Sequence, residues 1–440
     1  MVIGPRSGCQ LYRSVSPNTN VRAGSSKLTP PATIGQGVRA YKTVFTSKER
    51  KGPLAALRVI ELAHVAAGPF TGSLLADLGA DVVKIEPPSG DAMRGWPPLV
   101  SGDGGERFSG NFAALNRNKR SVVFDLRQTA QLATVRRLCD EADALVENYR
   151  PGALADLGLG YEELQRTNPG LVYCSISGYG QSGANARQAA YDVTVQAVAG
   201  LMSVTGDESG PAAKCGVPVA DFVTGLYAAV SILAALRERD LSGAGSHIDC
   251  SMVGSLLGIS ALQTSEMFGT GVAPRRLGTA HPRNAPYQAF DGSDRAFIVA
   301  AGNDKMWLQL CTALRRSDLA ADPRFATQEL RAAHQRELAA LLAPEFRQAT
   351  ADHWCAELSA VGIATAPIND FKEALEDPRV TELGLMDEVV LPNGAIQPVL
   401  KFPVTSTTFD PAIYRQPPAL GLDRDDVLDD WLGVADLEKS

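Results

Sequence analysis

The sequence predicts an α/β protein in which helices cover both faces of a parallel sheet. From Leu57 onward, short apolar strands alternate with helices, which is the pattern of successive βαβ units. The chain has 440 residues, 45% of them hydrophobic, so it can bury a large core and divide into two or three domains. An aromatic content of only 6%, together with 41 glycines, suits helices that pack closely on such a sheet.

The first βαβ unit begins at residue 58. Arg58–Leu62 and Asp81–Glu86 are predicted strands, and Pro69–Gly79 is a predicted helix opened by proline and closed by glycine. The loop after the first strand leads into a helix N-terminus, where free N–H groups favour a phosphate or a thioester oxygen. Neither a GxGxxG fingerprint nor a P-loop occurs there, so a nicotinamide cofactor is poorly supported.

Three further strands and one helix continue the pattern. Strands are predicted at Ser121–Leu126, Ala144–Asn148 and Leu171–Ser177, and a helix is predicted from about Thr129 to Ala142. Ligands of such sheets bind beyond the carboxyl ends of the strands. We therefore expect the functional site in the loops that follow these strands.

Asp221 is the most informative single residue, because it stands at the start of a long apolar helix. The run Phe222–Leu236 is almost wholly apolar or small, which places Asp221 at the N-cap or in the first turn. Free N–H groups and the helix dipole there favour the ionised carboxylate. Helix capping is the more common role of such an Asp, and a carboxylate nucleophile is the alternative.

The second half of the chain predicts a smaller α+β domain. A strand is expected at Phe297–Gly302, and a hairpin at Asp387–Val399 turns at Pro392-Asn-Gly. Helices are expected around residues 305–314, 329–346, 351–361 and, as a solvated amphipathic helix, 423–432. The predicted domains are a leader (residues 1–52), a large domain (53–275), a small domain with linkers (276–390) and a C-terminal segment returning to the large domain (391–440).

Charge separates the leader from the rest of the chain. Residues 1–51 contain nine Lys or Arg and one acid, a net charge of +8. Since the whole chain has a net charge of −7, the remainder carries about −15. Such an acidic body does not favour a nucleic-acid partner. The leader has the composition of a mitochondrial transit peptide. A disordered tail, or an upstream stretch wrongly included, explains it equally well, and the cytoplasm is then the alternative location.

Metal, disulfide and membrane motifs are missing from the sequence. The seven cysteines include no CxxC pair, and the five histidines form neither HxxxH nor HExxH. We therefore predict no metal site. No stretch reaches the ~18–20 uninterrupted apolar residues of a membrane span, which predicts a soluble protein without a membrane partner.

An ordered series of motifs resembles the class III CoA-transferases, the CaiB/BaiF family, from about Pro53 to the C-terminus. The motifs are Leu57–Pro88, Asn116-Arg-Asn-Lys-Arg-Ser, Val146-Glu-Asn-Tyr-Arg-Pro-Gly, Gly158-Leu-Gly-Tyr-Glu, Ser177-Gly-Tyr-Gly, Tyr191-Asp, Ala220-Asp-Phe and His281-Pro with Ala285-Pro-Tyr. The resemblance implies a Rossmann-like large domain with a smaller α+β domain, and an interlocked homodimer. It also implies that Asp221 is the nucleophile, and that acyl-CoA and carboxylic acid are the substrates, with no other cofactor.

The resemblance also implies where CoA binds. The corresponding residues are Val65, Ala66, Phe124, Asp125, Leu126, Arg127, Asn148, Tyr149, Arg150 and Arg187, with Arg94, Arg117 and Lys119 as further candidate phosphate partners. At three positions where family members carry a basic residue, this chain has Pro87, Asp156 and Ala189.

The closest resemblance within the family is to enzymes that transfer CoA from succinyl-CoA or a similar donor to a short dicarboxylic acid. Arg276, His281 and Tyr191 are the candidate substrate-binding residues, and Arg275 and Arg283 lie in the same segment as Arg276. A racemase acting on α-methylacyl-CoA is one alternative, but related racemases carry His where this chain has Tyr191, and tyrosine is a poor base at neutral pH. A noncatalytic acyl-CoA-binding protein is the other.

Overall fold

The structure is a computed structural model in which residues 51–433 are described. The predicted leader falls almost entirely on residues 1–50 and so lies outside the described residues. The strands are β1 (Arg58–Leu62), β2 (Asp81–Glu86), β3 (Leu99–Ser101), β4 (Arg107–Ser109), β5 (Lys119–Val123), β6 (Ala144–Glu147), β7 (Val172–Ser177), β8 (Ser246–Ser251), β9 (Tyr287–Asp291), β10 (Ala296–Ala300), β11 (Ala364–Pro367), β12 (Met386–Val390) and β13 (Ile396–Leu400).

Helices account for much of the remaining described chain. They are α1 (Ala67–Asp77), α2 (Gly110–Asn116), α3 (Thr129–Asp140), α4 (Ala153–Asp156), α5 (Tyr161–Leu164), α6 (Asp192–Val198), α7 (Leu201–Val204), α8 (Val219–Ser242), α9 (Met252–Ile259), α10 (Ala261–Thr270), α11 (Asp304–Ala313), α12 (Ser317–Ala321), α13 (Gln328–Ala333), α14 (Gln335–Phe346), α15 (Ala351–Ala360), α16 (Phe371–Glu376), α17 (Pro378–Thr381) and α18 (Arg424–Leu432). Single 3₁₀ turns occur at Ala92–Gly95 and Pro323–Phe325.

Six parallel strands form the main sheet, in the order β5-β2-β1-β6-β7-β8. Counted along the chain, this is the 3-2-1-4-5-6 order of doubly wound sheets, so the direction of winding reverses between β1 and β6. The predicted parallel α/β sheet is therefore present. The loops that follow β1 and β6 flank this switch point, which is where such sheets bind ligands.

Both faces of the main sheet are covered by helices. On one face, α1 and α8 pack against apolar strand residues such as Val59 and Val146. On the other face, α3 packs over Ile60 and Leu145, and the C-terminal α18 adds Trp431 to the same core. The five strands other than β8 are therefore buried on both sides, as is usual for a parallel sheet covered by helices.

The α+β part contains a three-stranded antiparallel sheet in the order β11-β10-β9. Helices α11–α15 pack on it around Trp307, Phe346 and Leu358. Two hairpins, β3–β4 and β12–β13, meet through Asn393, whose Nδ2 donates to the carbonyls of Val100 (2.8 Å) and Glu106 (2.9 Å). The predicted domain boundaries stay a prediction.

Several predicted elements differ from the structure. The strand predicted at Ser121–Leu126 is shifted to Lys119–Val123, and the helix predicted at residues 329–346 is divided into α13 and α14 at His334. Strand β8 and hairpin β3–β4 had no prediction. Strand β8 is one of the two edge strands of the sheet and alternates polar with apolar residues only weakly, so it lacks the apolar pattern of its neighbour β7.

Helix α8 is long and apolar enough to cross a membrane by length and composition, and it is the one helix among residues 51–433 that meets those criteria. Its buried residues, including Ala228, Ile232 and Leu236, pack in the core on the main sheet. On its other side Leu226, Tyr227 and Val230 are exposed. The helix is therefore a core helix with one uncovered apolar side.

A buried ionic network lies between α1 and the main sheet. It consists of Glu61, Lys84, Glu86, Asp91, Arg94 and Lys119, so three cations balance three anions. Lys84 Nζ lies 2.8 Å from Glu61 Oε1 and 2.9 Å from Asp91 Oδ2, and Lys119 Nζ lies 2.8 Å from Glu61 Oε2. Arg94 binds Glu86 through two hydrogen bonds of 2.7 and 2.6 Å. Burial of so many charges is tolerated only because each has partners of opposite sign.

Gly72 makes room for this network, and Gly72→Ala should therefore destabilise the protein. A Cβ at position 72 would collide with Glu61 Oε2, and the Glu61 carboxylate is held in place by Lys84 on Oε1 and by Lys119 on Oε2. We expect a loss of about 3 kcal/mol, as for overpacking that also disturbs a buried ion pair, although alanine is ordinarily the better helix former. Urea unfolding measures the change. Gly95→Ala is the control, because its Cβ would meet nothing within 4 Å; equal stability of the two variants would contradict the argument.

Candidate functional site

The candidate site is the carboxyl edge of the main sheet, at the switch point between the ends of β1 and β6. Asn148, directly after β6, accepts from the His64 N–H and donates to the His64 carbonyl, both at 2.9 Å. His64 Nε2 lies 3.2 Å from the Tyr149 hydroxyl, and burial lowers the pKa of His64. The two loops predicted to bind CoA are thus joined to each other, with a neutral imidazole between them.

Val65 gives the β1–α1 loop an unusual shape. Its φ is 65°, a left-handed conformation that β-branched residues rarely adopt. The Val65 N–H points at Asp91, whose two carboxylate oxygens each lie 3.2 Å from the nitrogen. Ala66 follows and caps helix α1, so the loop ends at free N–H groups of a helix N-terminus.

Close packing of α1 against α8 places Asp221 at the same edge of the sheet. The Phe70 and Phe222 rings are 4.8 Å apart, and Thr71 Oγ1 donates to the Gly225 carbonyl at 3.3 Å. A Cβ at Gly225 would come within 3.0 Å of the Ala67 carbonyl, so only glycine permits this approach. Both helices run from the carboxyl edge to the amino edge of the sheet. Asp221, one turn before Gly225, therefore lies near the start of α1.

Asp221 is the third residue of α8, as the first-turn prediction requires. Among residues 51–433, no group donates a hydrogen bond to its carboxylate or forms an ion pair with it. Burial, and then the negative charge of Asp192, raise the pKa of Asp221 to about 6. The expectation that helix N–H groups favour its charged form was wrong in direction. The reason is that burial of the carboxylate and the nearby charge of Asp192 both favour the neutral form; Asp192 is held there by its Oδ1, which accepts from the N–H of Ala220 at 2.9 Å.

Asp192 anchors the segment that precedes the candidate nucleophile. Its Oδ2 accepts from Gln196 Nε2 at 2.7 Å, and Gln196 Oε1 accepts from the Cys215 N–H at 2.8 Å. Gln196 is fully buried. These contacts fix the chain on both sides of residue 218 and so fix the first turn of α8. Gln196 escaped the sequence analysis, because a glutamine inside an amphipathic helix carries no distinctive signal.

The loop after β5 holds four of the predicted CoA-binding residues. Phe124 is buried in the core and stacks under Arg424, whose Cζ is 4.9 Å from the ring centroid, so its side chain serves packing. Asp125 and Arg127 form an exposed ion pair of 2.9 Å, which lowers the pKa of Asp125. Leu126 is half-buried. Assignment of these residues to CoA stays a prediction.

The structure separates the candidate phosphate partners into two groups. Arg94 and Lys119 belong to the buried ionic network, and Arg117 pairs with the buried Asp77. Their guanidinium and ammonium groups already have partners, so the sequence-based suggestion of a phosphate role for these three was wrong. Arg150 and Arg187 are exposed, and the Arg187 guanidinium lies next to Gly152. These two arginines thus remain available near the end of β6.

Glu147, the last residue of β6, is a buried acid that sequence analysis did not single out. Its Oε2 accepts from the Tyr149 N–H at 2.8 Å, and burial raises its pKa to about 7. Next to it, Ser175 Oγ lies 2.9 Å from His247 Nε2. A charged residue inside a strand buried on both faces is a signal that could have found it, and the same signal marks Glu61, Lys84 and Glu86.

The three predicted substrate-binding residues lie in different surroundings. Tyr191 is 75% exposed. Arg276 donates to the carbonyls of Asp207 (3.2 Å) and Gly210 (3.1 Å). His281 Nδ1 accepts from two backbone N–H groups at 3.1 Å, and burial with the nearby Arg283 lowers the pKa of His281. Among residues 51–433, no group of three or more His, Cys, Asp or Glu could hold a metal ion.

Comparison with known proteins agrees with this geometry. The family model described as CoA-transferase family III matches residues 54–424. The chain belongs to CoA-transferase family III. As a member of that family it is an enzyme of the CoA-transferase type, which confirms the prediction made from the motifs.

Relatives in this CoA-transferase family cover most of the chain. A succinate–glutarate CoA-transferase from Agrobacterium fabrum is 40% identical over 376 residues, which are 84% of this chain and 94% of that protein. The human succinyl-CoA:glutarate CoA-transferase is 35% identical over 372 residues, 84% of each chain. The crystal structure of a CaiB/BaiF family protein from Brucella suis is 40% identical, has a TM-score of 0.77, and matches 86% of this chain and 99% of its own.

The difference in stability between an Asp221→Asn variant and wild type should depend on pH. Because the folded-state pKa of Asp221 is raised to about 6, the folded protein keeps a proton between pH ~4 and ~6 that the unfolded chain has released. Wild type therefore loses stability from this group as pH rises through that window, and the asparagine variant does not. We expect the variant to gain about 1–3 kcal/mol over wild type by pH 7.5.

Urea unfolding at pH 4.5 and 7.5 measures this difference. Asp429→Asn, which removes an exposed carboxylate on α18, provides the matched comparison. A stability difference between Asp221→Asn and wild type that is the same at both pH values would contradict the burial of the Asp221 carboxylate.

Proposed function

We propose that this enzyme transfers CoA from succinyl-CoA or a similar donor to a short dicarboxylic acid, with Asp221 as the nucleophile. The observation that carries the proposal is the carboxylate of Asp221, which has no hydrogen-bond donor or ion-pair partner within residues 51–433 and lies at the carboxyl edge of the sheet, next to the start of α1. The names of the relatives from Agrobacterium fabrum and human, which refer to succinate or succinyl-CoA and to glutarate, support a dicarboxylate substrate.

The reaction follows from the chemistry of a carboxylate with a thioester. Asp221 attacks the thioester carbonyl and expels CoA thiolate, leaving a mixed anhydride. The thiolate attacks the Asp221 carbonyl and releases the donor acid, which leaves CoA bound to Asp221 as a thioester. The acceptor carboxylate then attacks that thioester, and the same two steps in reverse give the new acyl-CoA and restore Asp221. Thioester energy is conserved if water is excluded from the intermediates.

The CoA moiety fits the loops that follow β1, β5 and β6. Val65 and Ala66 would contact the thioester end, because they lead into α1 beside Asp221. Arg150 and Arg187 would bind phosphate groups, since both are exposed and arginine suits phosphate. Backbone N–H groups at the start of α1 are the candidate donors to the thioester oxygen.

The acceptor site is proposed at Tyr191, Arg276 and His281. The Tyr191 ring is largely exposed at the start of α6, one residue before Asp192. His281 is held neutral, with its Nδ1 facing backbone donors. It would therefore offer Nε2 rather than a positive charge to a distal carboxylate, and Arg276 would supply the charge.

Racemisation of an α-methylacyl-CoA is less well supported. That reaction needs an acid and a base on opposite sides of the α-carbon. Tyr191 is exposed and stands at the position where related racemases carry histidine, so a second base is not supplied there. We therefore retain CoA transfer.

A homodimer is proposed from the apolar surface that the single chain leaves uncovered. Large exposed apolar residues cluster on α8, α9 and α10, namely Leu226, Tyr227, Val230, Leu257, Ile259, Leu262, Met267 and Phe268. Contiguous apolar surface of this kind marks a protein interface. A second copy of the chain would cover these helices, as expected for the interlocked dimer that the resemblance implies.

Asp221→Ala should abolish CoA transfer. Purified protein is incubated with succinyl-CoA and a panel of dicarboxylates, and mass spectrometry records acyl-CoA products and any enzyme-bound CoA. Wild type should exchange and carry a CoA thioester on Asp221; the variant should lose at least ~10³-fold in kcat, as for other covalent nucleophiles. Deuterium uptake at the α-carbon of a branched acyl-CoA, without exchange, would instead support the racemase.

The dimer should persist at nanomolar protein concentration. Sedimentation of wild type is expected to show one species of twice the chain mass, since an interface of buried apolar helices resists dilution. Val230→Asp, which adds a charge to the exposed side of α8, should shift the protein to monomer or prevent its assembly. Glu238→Lys, a charge change at an exposed position near the other end of the same helix, is the control. An active wild-type monomer would rule out the proposed assembly.

A further inference from the structure

The loop that follows β1 is held by side chains from three other segments. Lys84 Nζ donates to the Ala63 carbonyl at 2.7 Å. Asn148 binds both the N–H and the carbonyl of His64, and Asp91 accepts from the Val65 N–H. A simple connection would not need this, because exposed backbone groups can bond to water. Control over three consecutive residues indicates that the exact path of the loop matters.

The path is unfavourable for the residue that adopts it. Val65 has a φ of 65°, where a Cβ with two branches meets the backbone. Asparagine or glycine would adopt this conformation more readily. A strained residue persists when its surroundings determine its conformation, and such residues concentrate at ligand sites. Among the described residues, no hydrogen bond uses the Val65 carbonyl or the N–H of Ala66.

Asp91 is placed so that it cannot move away from Val65. Its side chain is buried, ion-paired with Lys84 at 2.9 Å, and accepts from the Met93 N–H at 2.9 Å. Its own N–H donates to Glu86 Oε2 at 2.9 Å. Lys84 is fully buried and also bound to Glu61 at 2.8 Å. Asp91, which binds the Val65 N–H, is therefore connected through Lys84 to Glu61 inside the sheet.

We propose that Asp91, fixed by Lys84, is a positioning residue that holds Val65 in its left-handed conformation and so shapes the β1–α1 loop for the CoA thioester. Asp91 itself does not touch the ligand. The inference rests on the proposed CoA transfer and deepens it, because it names what sets the shape of the loop. The proposal therefore makes CoA affinity depend on a carboxylate outside the binding surface, and mainly through residue 65.

A double-mutant cycle tests this dependence. Asp91→Asn leaves one oxygen for the Val65 N–H and Met93 N–H, and turns an amide N–H toward Lys84. Val65→Asn has nearly the size of valine and adopts the left-handed region readily. CoA binding is measured by calorimetry on the full chain, together with the KM for succinyl-CoA and for the dicarboxylate. With Val65 present, Asp91→Asn should raise the Kd for CoA and the KM for succinyl-CoA about tenfold. In the Val65→Asn background the rise should fall to about twofold.

The control is Asp77→Asn, which breaks a buried carboxylate–arginine pair at the other end of α1. It should lower the melting temperature as much as Asp91→Asn while leaving both KM values unchanged. An equal rise in Kd in both Val65 backgrounds, or the same rise for Asp77→Asn, would overturn the proposal. If wild type binds CoA but transfers none, the proposed function is refuted. The double-mutant cycle, which is measured by CoA binding, would still test the role of Asp91.

A second comparison covers the case in which Asp91→Asn does not fold. The side chains introduced by Val65→Asn and Val65→Ile have the same number of heavy atoms, and only isoleucine keeps the β-branch. The melting temperature of Val65→Asn should exceed that of Val65→Ile by several degrees. A melting temperature of Val65→Asn no higher than that of Val65→Ile would show that residue 65 is not strained, and the proposal would fail.

Discussion

The contact between Lys84 and its two carboxylates, Glu61 and Asp91, is the interaction on which the arrangement of the site depends. Burial opposes the charge of Lys84, yet Glu61 and Asp91 outweigh it and raise the pKa of Lys84. Removing any one member would leave an uncompensated buried charge, which is far more costly than an absent ion pair. Because Glu61 lies on β1, Lys84 on β2 and Lys119 on β5, the network fixes three neighbouring strands. Through Asp91 it also fixes the loop at the carboxyl edge.

The same region shows why small residues recur in α1 and α8. Gly72 leaves space for Glu61, and Gly225 lets α8 approach the Ala67 carbonyl. Larger residues at either position would push the helices away from the sheet or from each other. The first turns of α1 and α8 would then separate, and the candidate nucleophile would leave the loop that is proposed to bind its substrate. The absence of a side chain at Gly72 and Gly225 therefore links the packing of the helices to the position of the candidate nucleophile.

The sequence predicts the strands of the main sheet well but the electrostatics of the site poorly. Strands β1 and β2 lie at their predicted bounds because an apolar run between clear turn signals has little alternative to a buried strand. Edge strand β8 was missed because water can solvate polar residues at the edge of a sheet. The strand therefore lacks the apolar run by which a buried strand is recognised. The phosphate role suggested for Arg94, Arg117 and Lys119 was wrong because a basic motif does not reveal which acids from distant strands it will meet. In the sequence, only charged residues inside buried strands, such as Lys84, indicate that such acidic and basic partners meet.

The raised pKa of Asp221 follows first from burial and then from the charge of Asp192, and it has a use in the proposed reaction. Burial disfavours the charge of Asp221, and Asp192, which accepts from the Ala220 N–H, adds a negative charge nearby. At pH 7, with a pKa of about 6, roughly nine in ten molecules still carry the ionised form. That carboxylate is poorly stabilised in the resting enzyme. Attack on a thioester removes its charge, so part of the cost of burying it is recovered as the anhydride forms. A well-capped Asp221, with helix N–H groups bound to both oxygens, would be more stable and a weaker nucleophile.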